Sequence, residues 1–165
     1  MARIRYDEQT AAAFKAVREV PRDGLTEWRD AIARHLHALP GMTLLDIGAG
    51  TGAFSAAFCD WFGADVLAVE PSAAMRNQIP RLPHIQMFEG SASALPLPDA
   101  CADAAWLSLV IHHIPDLQIA AREIPDRAKQ RDDGIAASPL VLEEARREYR
   151  KAALAACRRD VAVCG

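Results

Sequence analysis

Leu44-Leu45-Asp46-Ile47-Gly48-Ala49-Gly50-Thr51-Gly52 is the stretch that decides how this chain is read. A short apolar run, Met42 to Ile47, is predicted to be a buried strand. Gly48 and Gly50 then permit a tight turn in which backbone can approach a ligand with no Cβ in the way. A helix is expected over Ala53 to Phe62, closed by Gly63. Its first amides would point toward anything bound at the turn.

Working outward, Val66 to Val69 is a second strand and Glu70 stands at its end, twenty positions after Gly50. A carboxylate there is placed to accept hydrogen bonds from both ribose hydroxyls of an adenosine. The alternative is a tight strand–helix turn beside an exposed Glu. Strand, glycine loop, helix, strand and acid in that order favour the nucleoside site. Ser72 can cap a short helix to about Ile79. His84 to Phe88 is a third strand, Ser91 to Pro98 a Pro-rich loop, and Ala102 to Ile111 a fourth strand ending near Ser108. Asp116 to Ile124 reads as a helix. The strands are continuous apolar runs alternating with helices, the mark of an α/β fold whose parallel sheet is covered on both faces.

Before the glycine loop, Asp7 to Val20 and Leu25 to Leu39 are predicted helices, separated by Pro21-Arg22-Asp23-Gly24. After Ile124 the texture changes. Pro125 to Ser138 is charged and turn-prone, Pro139 to Arg158 is helical in pattern, and Val161 to Cys164 reads as a final strand. The mixed charges of Glu143 to Lys151 suit a solvated helix face.

Composition narrows the function classes. The chain has 165 residues, 51% hydrophobic and 25% charged, which suits one globular domain. A formal net charge of −3 and 6% aromatic residues give no case for a nucleic-acid partner. The apolar run Ala104 to Ile111 is too short to span a bilayer. The N-terminus is too charged for a signal peptide, so a cytoplasmic location is expected. Cys59, Cys101, Cys157 and Cys164 have no metal-site spacing, so no metal is expected and the thiols read as reduced and mostly buried.

Two cofactor classes fit the loop, because Gly48-x-Gly50-x-x-Ala53 also satisfies a loose dinucleotide pattern. Further residues separate them. Leu44 to Gly52 resembles motif I of class I S-adenosylmethionine (SAM)-dependent methyltransferases, notably the small-molecule type-11 group. Val69-Glu70-Pro71-Ser72-x-x-Met75 resembles that family's second motif. Gly90-Ser91-Ala92-x-x-Leu95-Pro96-Leu97-Pro98-Asp99 resembles its adenine loop, and Trp106 to Asp116 the segment ending its fourth strand. The resemblance covers roughly Tyr6 to Ile124. It implies a Rossmann-like three-layer sandwich with a mostly parallel sheet, truncated relative to the full family fold. It also implies SAM as cofactor and a small molecule as methyl acceptor.

By that resemblance, Asp46, Gly48, Ala49, Gly50, Glu70, Pro71, Met75, Ser91, Ala92 and Ser108 line the cofactor site. The amino-acid end of SAM would meet loop backbone and Asp46. Met75 would offer a polarizable surface to adenine or simply fill the core. Ala92 would offer a backbone amide to adenine N1. Three departures stand out. Ser91 replaces the family's Asp, Ala102 replaces its Phe, and its basic-Leu-Arg-Pro-Gly-Gly turn is missing after Ile124.

Methyl transfer from a sulfonium releases a neutral thioether, so it needs orientation more than acid catalysis. A base is required only where the acceptor must lose a proton. His112 and His113 lie beyond the fourth strand, where ligands bind in such sheets. His113 is the expected base; the alternative is that both histidines pack or cap the following helix. His35, His37 and His84 are read as structural. Tyr6 would close over the cofactor, with Phe14 and Trp28 in a lid formed by residues 1–40. Residues 41–124 form the cofactor-binding core and 125–165 an atypical C-terminal segment of the same domain. The leading expectation is an enzyme methylating a small molecule on O, N or C. The alternative is a catalytically weak or inactive module that binds SAM or S-adenosylhomocysteine (SAH) and acts through a partner; a nicotinamide oxidoreductase is the third. A missing fifth strand would leave the fourth as an edge. Val161 to Cys164, or a homodimer through the same edge, is expected to cover it.

Overall fold

The computed structural model describes residues 7–18, 29–30, 32–33, 36, 41–108, 110 and 113–127. Contacts group the chain into two units. One comprises Met1–Glu19 with Leu39–Pro139, the other Val20–Ala38 with Leu140–Gly165. The described residues of the second unit, 29–30, 32–33 and 36, are helical, and Arg29 pairs with its neighbour Asp30 at 3.0 Å.

The first unit is built in the order α1 (Glu8–Arg18), β1 (Thr43–Ile47), α2 (Ala53–Phe62), β2 (Asp65–Val69), α3 (Ala73–Arg76), β3 (Ile85–Phe88), β4 (Ala104–Leu107) and α4 (Leu117–Arg127). The four strands form one sheet in the order β3-β2-β1-β4, and every pairing is parallel. The predicted α/β class and parallel sheet are therefore observed. Register aligns the strand ends: Ile47 pairs with Val69 and Leu107, and Val69 with Phe88. Strand order reverses across β1, since β2 and β3 extend the sheet one way and β4 the other. The crevice for a ligand in such sheets lies at that switch point, outside the carboxyl ends.

Leu44, Leu45, Ile47, Val66, Val69 and Phe58 are the fully buried centre of the core. Phe58 of α2 stands edge-on to Trp106 of β4 at 5.6 Å between ring centroids, and Phe54 lies 5.1 Å from the same indole. These aromatics seat α2 against the sheet, so the loop joining β1 to α2 is held at both ends. α2 runs from Ala53 to Phe62 as expected, ending in left-handed Gly63, whose amide reaches back to Cys59. Asp103 accepts the Thr43 amide at 2.7 Å through its carboxylate and returns its own amide to Thr43 at 2.8 Å, fixing the start of β1 against β4. On the other side, α1 lies near α3, with Lys15 Nζ donating to the Gln78 carbonyl at 3.1 Å.

Several expectations need correction. The helix expected to stop at Ile124 continues through position 125 to Arg127. Tertiary bonds extend it: the Asp126 and Arg127 carbonyls accept the amides of Ala100 and Ala102, and the Arg127 guanidinium pairs with Asp99 and Glu123. The fourth strand is shorter than its apolar run, and the helix after Ser72 stops at Arg76. Cys59 and Cys101 are half-buried, reduced thiols rather than fully buried ones. His84 bonds Asp65 at 2.8 Å beside the start of β2. Expectations for Tyr6, Trp28, His35, His37, His112, Cys157, Cys164, the 139–158 helix and the 161–164 strand, and for the Phe14 side chain, fall outside the described residues.

Candidate functional site

Glu70 follows the last residue of β2 and is buried, with 7% exposure. All four of its polar atoms are engaged. Its amide donates to Phe88 O at 3.1 Å, and its carbonyl accepts from Arg76 Nη1 at 2.7 Å. Carboxylate Oε2 accepts the Gly50 amide at 2.9 Å and Oε1 the Ser72 amide at 2.8 Å. A carboxylate has about four lone-pair sites, so roughly two remain for further donors such as a pair of hydroxyls. The acid is thus bonded directly to the glycine loop that sequence placed opposite it.

The loop is tied down from below. Val69 O accepts the amides of both Gly48 (2.8 Å) and Ala49 (3.1 Å), and Gly52 N donates to Ala49 O at 2.9 Å. With Gly50 N on Glu70, four loop amides are satisfied inside the protein.

The glycines do different work. A Cβ on Gly48 (φ +71) would collide with Val110 Cγ2, so Gly48 makes room for the chain leaving β4. Gly50 (φ +58) has nothing within 4 Å of where its Cβ would be. Open space therefore lies over Gly50, a cradle beside the Glu70 carboxylate.

Asp46 lies deeper than expected. It is 3% exposed and its Oδ2 accepts from Ser55 Oγ at 2.6 Å, which links β1 to α2. Burial pushes its carboxyl up to about 7, opposed by the Ser55 bond and reinforced by the charge of Glu70. Met75 is 3% exposed and its amide donates to Ser72 Oγ at 3.3 Å. Pro71 is exposed beside them. Ser91 and Ala94 exchange bonds (3.3 and 3.0 Å) as a tight turn, with Ala92 at a position whose amide the turn itself does not use. Ser108 directly follows β4 and is half-buried, while His113 is exposed and its amide donates to Val110 O at 2.8 Å.

The structure therefore ties Gly48, Ala49 and Gly50 to the end of β2 at Val69 and Glu70, with Asp46 just before them on β1 and Pro71 and Met75 in the segment that follows Glu70. Ser91–Ala92 and Ser108–His113 follow the two outer strands. Sequence reasoning missed Ser55, Arg76 and Val110, and also Ser93, whose buried hydroxyl has no partner among the described residues. None carries a local signal; Ser55, Arg76 and Val110 matter through contacts with other segments.

Parallel sheet, glycine loop and strand-end acid define an α/β protein of the Rossmann-like kind. The chain belongs to the methyltransferase-domain family of SAM-dependent enzymes, type-11 group, whose profile matches residues 45–131. A demethylmenaquinone methyltransferase of Renibacterium salmoninarum is 31% identical over 119 residues, covering 71% of this chain and 50% of that protein. A solved structure from Anabaena variabilis, described as a methyltransferase of an antibiotic biosynthesis pathway, is 36% identical with a TM-score of 0.60. That match covers 62% of this chain and 41% of the other. The fold is shared with geranyl diphosphate C-methyltransferase of Streptomyces coelicolor, solved with SAH, at 23% identity and a TM-score of 0.57, covering 64% of this chain and 40% of that one. The chain thus spans about half the length of the curated relative it matches. Among the described residues no helix is long and apolar enough to cross a membrane.

Proposed function

We propose that the chain binds SAM over Gly50 and catalyses transfer of its methyl group to a small-molecule acceptor. The observation that carries this reading is the Glu70 carboxylate, held by Gly50 and Ser72 beside open space at the loop. Glu70 would take the ribose hydroxyls on its remaining lone pairs. The Ala92 amide would meet the adenine, with Ser91 and Met75 beside it. Asp46 would lie near the amino-acid end, screened by Ser55. When bound, SAM supplies a methyl carbon activated by a sulfonium.

The residues of the chain then bind, orient and, where the acceptor carries a proton, remove it. His113, exposed just past β4, would take that proton. Ser108 and Val110 would form the wall between it and the loop. The named activity of the Renibacterium relative makes a quinone or related aromatic ring the first acceptor class to try.

Calorimetry with SAM, SAH and NAD tests the cofactor, and transfer of a labelled methyl to a demethylated quinone tests the acceptor class. SAM and SAH are expected to bind, and NAD not to. NAD binding without SAH binding would overturn the cofactor reading. SAH binding without methyl transfer to any small molecule tried would favour a binding module over an enzyme.

A further inference from the structure

We propose that Arg76 is a positioning residue of the cofactor site, holding Glu70 in the pose that receives the ribose. The inference rests on the reading of Glu70 as the ribose acid and names a residue that acts through it. Arg76 ends α3 and is mostly buried, its side chain 17% exposed. Nη1 donates to the Glu70 carbonyl at 2.7 Å and Nη2 to Glu89 Oε2 at 2.7 Å. One planar guanidinium therefore ties the exit of β2 to the exit of β3, two chain segments that both flank the cradle.

The other three bonds of Glu70 are to backbone groups: its amide donates to the Phe88 carbonyl, and the Gly50 and Ser72 amides donate to its carboxylate. Arg76 is the side chain among its partners, and it grips the main chain rather than the carboxylate. It thus leaves the carboxylate lone pairs free while fixing the peptide from which the side chain springs. Charge-assisted bonds to a carbonyl are stronger and shorter than neutral ones, and a fork fixes direction as well as distance. Holding a binding group within fractions of an ångström is what such supporting contacts achieve.

The surroundings of Arg76 separate this role from simple packing. A cavity of about 140 Å3 lined by Arg76, Asn77, Ile79, Arg81 and Met87 lies against it. Shortening the side chain enlarges space that already exists, so the sheet has little reason to collapse.

The test is calorimetric titration of SAH, and of its 2′,3′-dideoxy analogue, into the full chain and into Arg76→Ala, Arg76→Lys, Glu70→Ala and the Arg76→Ala/Glu70→Ala pair. Arg76→Ala is expected to weaken SAH about tenfold, and Arg76→Lys to recover much of that. The loss should vanish in the Glu70→Ala background and with the analogue that lacks the ribose hydroxyls. Unchanged affinity in Arg76→Ala, an equal loss in both backgrounds, or an equal loss for both ligands would overturn the proposal. If Arg76→Ala does not fold, Glu89→Gln loosens the far end of the fork without touching the cradle. It should then weaken SAH about two- to threefold with the analogue unaffected, and no change would count against the proposal. Glu70→Ala binding SAH as tightly as the parent would instead refute the ribose-acid reading, whatever Arg76 does.

Discussion

Glu70 and Gly50, twenty residues apart in the chain, are joined by a 2.9 Å hydrogen bond from the loop amide to the carboxylate. The acid and the glycine loop are therefore one unit, and disturbing either disturbs both. Glu70→Ala removes a ligand group and leaves the Gly50 and Ser72 amides without their acceptor. SAH affinity should fall by about one to three kcal/mol. The melting temperature of the ligand-free protein should fall as well, by calorimetry. A variant that loses affinity with an unchanged ligand-free melting temperature would show that the two amides find other acceptors.

Gly48 and Gly50 should respond differently to alanine, although both have positive φ. Gly48→Ala drives a methyl into Val110, and Val110→Ala in the same chain should restore part of the lost stability. Gly50→Ala meets no atom, so it should cost only about 1 kcal/mol from backbone strain. Its methyl would nonetheless enter the cradle, and SAH binding should drop sharply. Urea titrations of the three variants, read beside SAH affinities, separate the two effects.

Asp46 predicts a pH dependence. Its folded carboxyl titrates near 7 against a reference of 3.8, because burial disfavours the charged form. Between those values the folded state holds more protons than the unfolded one, so stability declines as pH rises from about 4 to 7. The penalty is complete above the folded value and amounts to a few kcal/mol at most. Asp46→Asn, which can still accept from Ser55, should flatten that slope. Urea midpoints at pH 5 and pH 8 measure it, and equal slopes in parent and variant would exclude Asp46 as the source.

His113→Ala should lower turnover about a hundredfold if the side chain takes a proton from the acceptor. Its exposure means that folding stability should hardly change. SAH affinity should hold too. Parallel loss of SAH affinity would instead place His113 at the cofactor wall.

Much of this was legible because the local signals were strong. Gly63 marks the end of α2 by the backbone conformation it permits, and continuous apolar runs betray strands buried on both faces. The acid at position 70 was legible because parallel register brings strand ends level. Arg76 was not, since nothing in Ala73-Ala74-Met75-Arg76 says that its guanidinium turns back to Glu70. Val110 was hidden likewise, because the side chain that leaves no room for a Cβ at Gly48 comes from a segment sixty-two positions later. Position 125 misled in the opposite direction. Proline read as a helix stop, but carbonyls of the following turn have acceptor duties toward Ala100 and Ala102 that keep the helix going.

The level row Phe88, Val69, Ile47 and Leu107 sets what kinds of length change the gene can tolerate. Adding residues to a crossover lengthens a connection at little thermodynamic expense, because loop closure depends only weakly on length. Adding one residue within β2 would advance its end by about 3.4 Å and turn its side chains to the opposite face. Glu70 would then point away from Gly50. Insertions and deletions should therefore accumulate between the strands and be purged within them, leaving strand lengths as the slowest-changing dimension among descendants of this chain.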